Sequence, residues 1–167
     1  MDIIDCVYEN LPPLSWQIIV MQNMRMFIKH KVTPSKFDDK TMLSADVVQS
    51  INSTGKLKIK YTNRTGALKK DIGPEKQLAI LRIIQEQFNN ILKHANATEA
   101  ILFIDADDHE HTISLEIRDN GQGFEPSSTK KGLGLNNMFN RVAHYNGSIE
   151  LISSHGKGCT LHVKIPV

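Results

Sequence analysis

Hydrophobic and polar positions follow two different periods along this chain, and the switches between them mark out its elements. From Leu14 to about Lys31 the apolar residues Leu14, Trp16, Ile18, Ile19, Val20, Met21, Met24, Met26, Phe27 and Ile28 cover more than one helical face. Such a helix needs partners on most of its sides. Leu11-Pro12-Pro13 breaks the chain before it and Thr33-Pro34-Ser35 ends it. Beyond Lys40 the pattern becomes regular. A short helix is predicted over 41–53, ending at Gly55, and Lys56 to Tyr61 alternates with the period of a half-buried strand. Its lysines read as a solvated face that also blunts a sheet edge. Pro74 suits the first turn of a long helix over 75–95. Strands follow at 98–105 and 111–118, joined by the acidic turn 106–110. A Gly/Pro/Ser/Lys-rich loop over 119–133 leads to a helix over 134–145 that stops at Asn146-Gly147. A final hairpin pairs 148–153 with 159–165. Strands mixed with segregated helices predict an α+β fold, a two-layer α/β sandwich. The domain division is an N-terminal helical segment, 1–40, and a domain over 41–167.

Composition narrows the field without naming a chemistry. The chain has 167 residues, 40% hydrophobic and 23% charged, and a net charge of +2. That charge is too small for a nucleic-acid footprint, so no nucleic-acid partner is expected. No apolar run reaches the roughly 18 residues of a membrane span, and the acidic N-terminus lacks the features of a signal peptide. Cys6 and Cys159 lack metal or redox spacing and read as small buried hydrophobes in a reducing compartment. A cytoplasmic location is expected. His109, beside Glu110 at a hairpin tip, reads as solvated, and His30, His144, His155 and His162 form no metal-ligand constellation.

The long helix carries the first candidate chemistry. At about 100° per residue, Leu81, Ile84, Phe88, Ile91, Leu92 and Ala95 form one apolar stripe that should pack on the sheet. Glu86, Asn90, Lys93 and His94 share an arc on the opposite side. An outer face wetted by solvent is the plainest account of such an arc. Yet adjacent Asn89 and Asn90 in mid-helix cost about 0.5 kcal/mol each against Ala with no local gain. Ile83 beside the arc also suits a covered polar pocket better than a wet face. In such a pocket the Asn90 amide oxygen is a hard, neutral ligand fit for Mg²⁺ near a polyanion. Lys93 and His94 could neutralise phosphate oxygens, and Glu86 could accept a proton or hold a metal-bound water.

Two glycine-rich turns complete the set. A strand ends directly in Asp119-Asn120-Gly121-Gln122-Gly123. A carboxylate there can accept a hydrogen bond from the exocyclic amine of adenine, where guanine presents a repelling carbonyl. Gly121 and Gly123 let a ring or a lid lie against backbone. Gly132-Leu133-Gly134-Leu135 opens a helix, whose exposed N–H groups form an anion site. Each glycine string is weak alone. Their order after a polar-faced helix is far more specific.

At these residues the chain resembles the ATP-binding catalytic domain of bacterial sensor histidine kinases, of the GHKL superfamily and its nitrate-sensor-like subclass. E-Q-F-N-N-I-L-K-H-A resembles that family's N-box, D-N-G-Q-G-F its G1 box and G-L-G-L its G2 box; G-K-G-C-T-L resembles its last hairpin. The resemblance covers about 40–167 and implies the GHKL (Bergerat) sandwich, a mixed sheet with helices packed on one face. It implies ATP and Mg²⁺ as cofactors, with Asn90 as metal ligand, Lys93 and His94 near phosphates, and Asp119 on the adenine amine. It places Gly121 and Gly123 in the first glycine turn, Gly132, Leu133, Gly134 and Leu135 at the ATP lid, Thr160 near the adenine, and Glu86 as catalytic acid or base.

The departure lies at the N-terminus. Kinases of this family phosphorylate a histidine followed by Glu or Asp on a dimerising hairpin, and residues 1–40 hold no such pair; His30 precedes Lys31. Residues 14–40 resemble at most the second helix of that hairpin and offer a homodimer surface. The resemblance therefore implies a catalytic part that donates the γ-phosphoryl to a histidine elsewhere, with a histidine-containing hairpin and a response regulator as partners. A GHKL serine kinase of the anti-sigma type and a non-catalytic nucleotide-sensing module are the alternatives.

Overall fold

The structure, a computed structural model, describes residues 42–65, 72–126 and 133–167. The helix read over 14–31, the boundary at residue 40 and Gly132 lie outside the described residues. Helix α1 (Met42–Asn52) leads into β1 (Lys58–Asn63), followed by α2 (Pro74–Asn90), β2 (Glu99–Asp107), β3 (Thr112–Asp119), α3 (Leu133–His144), β4 (Ser148–Ser153) and β5 (Cys159–Pro166). The strands form one sheet in the order β1-β2-β3-β5-β4. β1 runs parallel to β2 and every other pair is antiparallel, so the sheet is mixed as expected.

Strand alternation sets the core. Ala100, Leu102 and Ile104 of β2, Ile113, Leu115 and Ile117 of β3, and Leu161, Val163 and Ile165 of β5 are buried together with Ile83, Ile84, Phe88 and Ile91 from the long helix and Met138 and Val142 from α3. The helices thus cover one face of the sheet, and the alternate strand positions form the other. The edge at β1 is closed by a side chain: Asn52, at the end of α1, donates to the Ile59 carbonyl at 3.1 Å and accepts from the Ile59 N–H at 2.7 Å. Its amide stands in for a neighbouring strand, one way of protecting an edge.

Local departures from the sequence reading have local causes. β1 starts at Lys58, two residues later than its alternation suggests, because pairing begins at Lys58 opposite Glu99. Gly55 at φ +69 holds the preceding turn. The β2–β3 turn is shorter than 106–110, since Asp107 Oδ1 accepts from the N–H groups of His109 and Glu110 and tightens it. The long helix begins at Pro74, but α-geometry stops at Asn90 and Ile91–Ala95 form a wider π turn. Asn96 at φ +50 then ends it in the left-handed conformation.

Candidate functional site

The site residues come from three elements that meet at one end of the helix layer: the end of α2, the turn after β3 and the start of α3. The α2 stripe packs as predicted, with Leu81, Ile84, Phe88 and Ile91 buried and Leu92 and Ala95 at its margin. Ile83 is fully buried too, so the side of the helix that carries Glu86 and Asn90 is bordered by core on its Ile83 flank. Glu86, Asn89 and Asn90 are half-buried, whereas Lys93 and His94 are exposed.

Glu86 meets α3. A β-carbon at Gly134 would collide with the Glu86 carboxylate, so the second residue of α3 lets that carboxylate lie directly against its backbone. Leu133 opens the helix and Leu135 packs partly buried on the core. The N-terminal turn of α3 and the acid of α2 are therefore neighbours across two sequence-distant motifs.

The Asp119 turn is clamped on both sides. Gln122 donates through its backbone to the Ala95 carbonyl at 2.7 Å and through its side chain to the His94 carbonyl at 2.7 Å. Both carbonyls belong to the last turn of the helix, where C=O groups have no intrahelical donors. A β-carbon at Gly121 would strike Ala95, and this close approach explains the glycine. On the other side, Gly156 N–H donates to the Gln122 carbonyl at 2.6 Å and Phe124 N–H to Ser153 Oγ at 3.0 Å. Gly123 and Gly158 lie against the Ser154 and Asp119 carbonyls, both with positive φ. Asn120 fastens the strand ends, accepting from the N–H groups of Thr98 and Glu99 at 3.0 Å.

Asp119 itself is 3% exposed and points toward the helices. Its Oδ1 accepts from Gly121 N–H at 2.8 Å. Its Oδ2 is buried and has no hydrogen-bond partner. Burial raises the carboxyl above the usual carboxylate value, against the lowering effect of the Gly121 and Cys159 N–H groups. A buried acceptor left without a donor is costly. A nucleobase amine is a donor that fits it.

Thr160 stands apart from this arrangement. It pairs with Arg118 and Ile152 and shares their side of the sheet, opposite to Asp119. The β5 residue beside Asp119 is Cys159, its register partner and a buried thiol. Gln87 Nε2 lies 3.9 Å from Cys159 Sγ, and Gln87 is only 2% exposed. The thiol pKa is pushed up to about 11, first by burial and then by the Asp119 charge. Cys159 is buried, as the sequence suggests, but its place beside Asp119 and its contact with Gln87 are not evident from the sequence. For that burial a signal existed, because Cys159 shares the inward parity of Leu161, Val163 and Ile165.

Among the described residues no group of three or more His, Cys, Asp or Glu could hold a metal ion. A metal at this site would rest on the Asn90 amide and on oxygens of the bound nucleotide. Among the same residues no helix is long and apolar enough to cross a membrane.

Residues 75–167 match the family described as histidine kinase-, DNA gyrase B-, and HSP90-like ATPase. The sensor histidine kinase MctS of Rhizobium johnstonii is 33% identical over 147 residues, covering 83% of this chain and 30% of that protein. The sensor histidine kinase LiaS of Bacillus subtilis is 33% identical over 89 residues, 53% of this chain and 24% of that one. This chain therefore corresponds to less than a third of either relative's length. The histidine kinase domain of the Erythrobacter litoralis EL346 blue-light activated histidine kinase has the same fold, with a TM-score of 0.59 at 18% identity, covering 74% of this chain and 64% of that one.

Proposed function

The chain belongs to the histidine kinase-, DNA gyrase B- and HSP90-like ATPase family, and on that footing we propose that it is the Mg-ATP-binding catalytic part of a two-component sensor histidine kinase. The observation that carries the reading is Asp119 Oδ2, a buried acceptor with no partner at the end of a strand. It suits the adenine amine and disfavours guanine, whose carbonyl would face a carboxylate. Asn90 is the metal ligand in this reading. Lys93 and His94, exposed one turn further along, screen the phosphates. Mg²⁺ supplies charge neutralisation of the phosphates when bound.

Glu86 is the acid–base residue of the proposed transfer. It would accept the proton from the attacking imidazole nitrogen, or hold the imidazole in the tautomer that attacks. Gly134 keeps its carboxylate at the mouth of α3, where the N-terminal N–H groups favour negative charge. In this reading Gly121 and Gly123 of the first turn, with Gly134 and Leu135 of α3, frame the nucleotide. The γ-phosphoryl would pass to a histidine on the dimerisation hairpin of the full-length kinase and then to a response regulator, on the cytoplasmic side of the cell.

The test is incubation with γ-labelled ATP and a separately supplied histidine hairpin. An acid-labile, alkali-stable label on the hairpin is expected. An acid-stable label would point to a hydroxyl acceptor, and nucleotide binding without any transfer would reduce the chain to a sensing module.

A further inference from the structure

The sheet face away from the helices is uncovered among the described residues, and one end of it is basic. Lys58 and Lys60 of β1, Arg118 of β3 and Lys157 of the β4–β5 turn line a cavity of about 340 Å³ at that end, where it borders Asp119 and Asn120 at the end of β3. All four are exposed, and none is ion-paired among the described residues. Glu99 is the one exposed acid in the same lining. In sequence these cations are scattered over a hundred positions. Only the topology gathers them.

One row of this face has a definite character. Lys60 pairs with Ile101, Ile101 with Arg118, Arg118 with Thr160, and Thr160 with Ile152. The row crosses all five strands and spans about 19 Å at the usual strand spacing of about 4.8 Å. Ile101 is 41% exposed and Ile152 54% exposed, two of the three large hydrophobic side chains exposed among the described residues. Two cations thus flank Ile101 on the first three strands, and Thr160 separates Arg118 from Ile152 on the last two.

We infer that this row is a docking surface for an acidic amphipathic helix of a protein partner, carrying Asp or Glu beside Leu or Ile. About thirteen helical residues would span it at about 1.5 Å per residue. Carboxylates would meet Lys60, Arg118 and the cavity cations, while apolar anchors would cover Ile101 and Ile152. A bare small anion would leave both isoleucines in water. A nucleic acid or an anionic membrane needs cations over most of the surface, yet the neighbouring rows of this face carry Asp105, Glu116 and Glu150. An added strand at the β1 edge is disfavoured, because Asn52 already holds the outward N–H and carbonyl of Ile59.

The experiment measures fluorescence anisotropy of a labelled thirteen-residue Glu/Leu amphipathic peptide titrated with the full chain. Three competitors run alongside: the Lys/Leu counterpart, a twelve-nucleotide uridylate RNA and phosphatidylserine vesicles. Saturable binding of the acidic peptide that weakens with salt is expected. The double variant Lys60→Glu, Arg118→Glu should weaken it about tenfold, the scale of two exposed pairs turned repulsive. Both side chains are exposed, so the double variant should melt at the wild-type temperature. Ile101→Ser, which leaves every charge in place, should weaken the peptide as well. No saturable binding, undiminished binding by the double variant, or tighter binding of RNA or vesicles would overturn the inference. Full binding by Ile101→Ser would reduce the surface to an anion site and overturn it too.

Discussion

The Glu86 carboxylate occupies the space that a β-carbon at Gly134 would need. Glycine at this position is therefore a condition for where the acid sits. The obstacle is the far end of a flexible side chain, so Gly134→Ala can fold by letting Glu86 swing away. Alanine is also the better helix former by about 1 kcal/mol. The variant is expected to melt at or above the wild-type temperature yet lose at least about tenfold in phosphoryl transfer to a supplied hairpin, approaching Glu86→Ala. Full transfer by Gly134→Ala would mean that the carboxylate position is irrelevant to the chemistry. Gly158→Ala should behave oppositely. Its φ is +71 and its neighbour is the Asp119 backbone carbonyl, which cannot swing, so a stability loss of about 1–3 kcal/mol is expected.

Asp119→Asn separates stability from binding. A folded-state pKa raised by burial means that the native state holds its proton more tightly than the unfolded chain does. That carboxyl therefore contributes least stability above its folded pKa, and the deficit disappears as pH falls below the unfolded value. Denaturant melts should show the Asn variant gaining on the wild type as pH rises through the acid range, and equal to it at the lowest pH. ATP affinity should fall by about 1–3 kcal/mol at neutral pH, the scale of a charged buried hydrogen bond. Unchanged affinity by calorimetry would remove the adenine assignment.

Asn90→Ala tests the metal ligand. Asn90 is half-buried beside Asn89 near the end of α2, where its amide oxygen can reach a metal without adding negative charge. Nucleotide binding by the alanine variant should no longer respond to Mg²⁺, while residual metal-free binding persists. A preserved Mg²⁺ response would place the metal on another residue.

The parts of this fold legible from the chain were those governed by period. The apolar stripe of α2, the alternation of β2, β3 and β5, and the strand end at Asp119 all follow from local spacing. What escaped depends on contacts between distant segments. Gln87 faces Cys159 across 72 sequence positions, and nothing near either residue announces the pair. Asn120 and Gln122 act as clamps only because β2 and the π turn lie beside them. Thr160 is instructive because the signal was present: on a strand with Leu161, Val163 and Ile165 inward, parity puts Cys159 inward and Thr160 outward. The cations of the open face were likewise invisible as a group until the strand order β1-β2-β3-β5-β4 assembled them.

Cys159 gives the last prediction. A thiol with its pKa pushed up to about 11, against an ordinary value of 9.0, is protonated and a poor nucleophile at neutral pH. Iodoacetamide should leave the peptide that carries Cys159 unmodified in the native protein and label it in urea, as read by mass spectrometry. The same displacement predicts a pH dependence of stability. The native state keeps this proton through a window, between about pH 9 and 11, in which the unfolded chain has lost it, so stability is fully present below pH 9 and declines as pH rises through that window. Comparison with Cys159→Ala cancels the titration of lysines and tyrosines common to both. The wild type should lose about 2–3 kcal/mol relative to that variant across the window. If the stability difference stays flat from pH 8 to pH 11, the thiol does not sit in the buried, Asp119-facing position from which the site has been built.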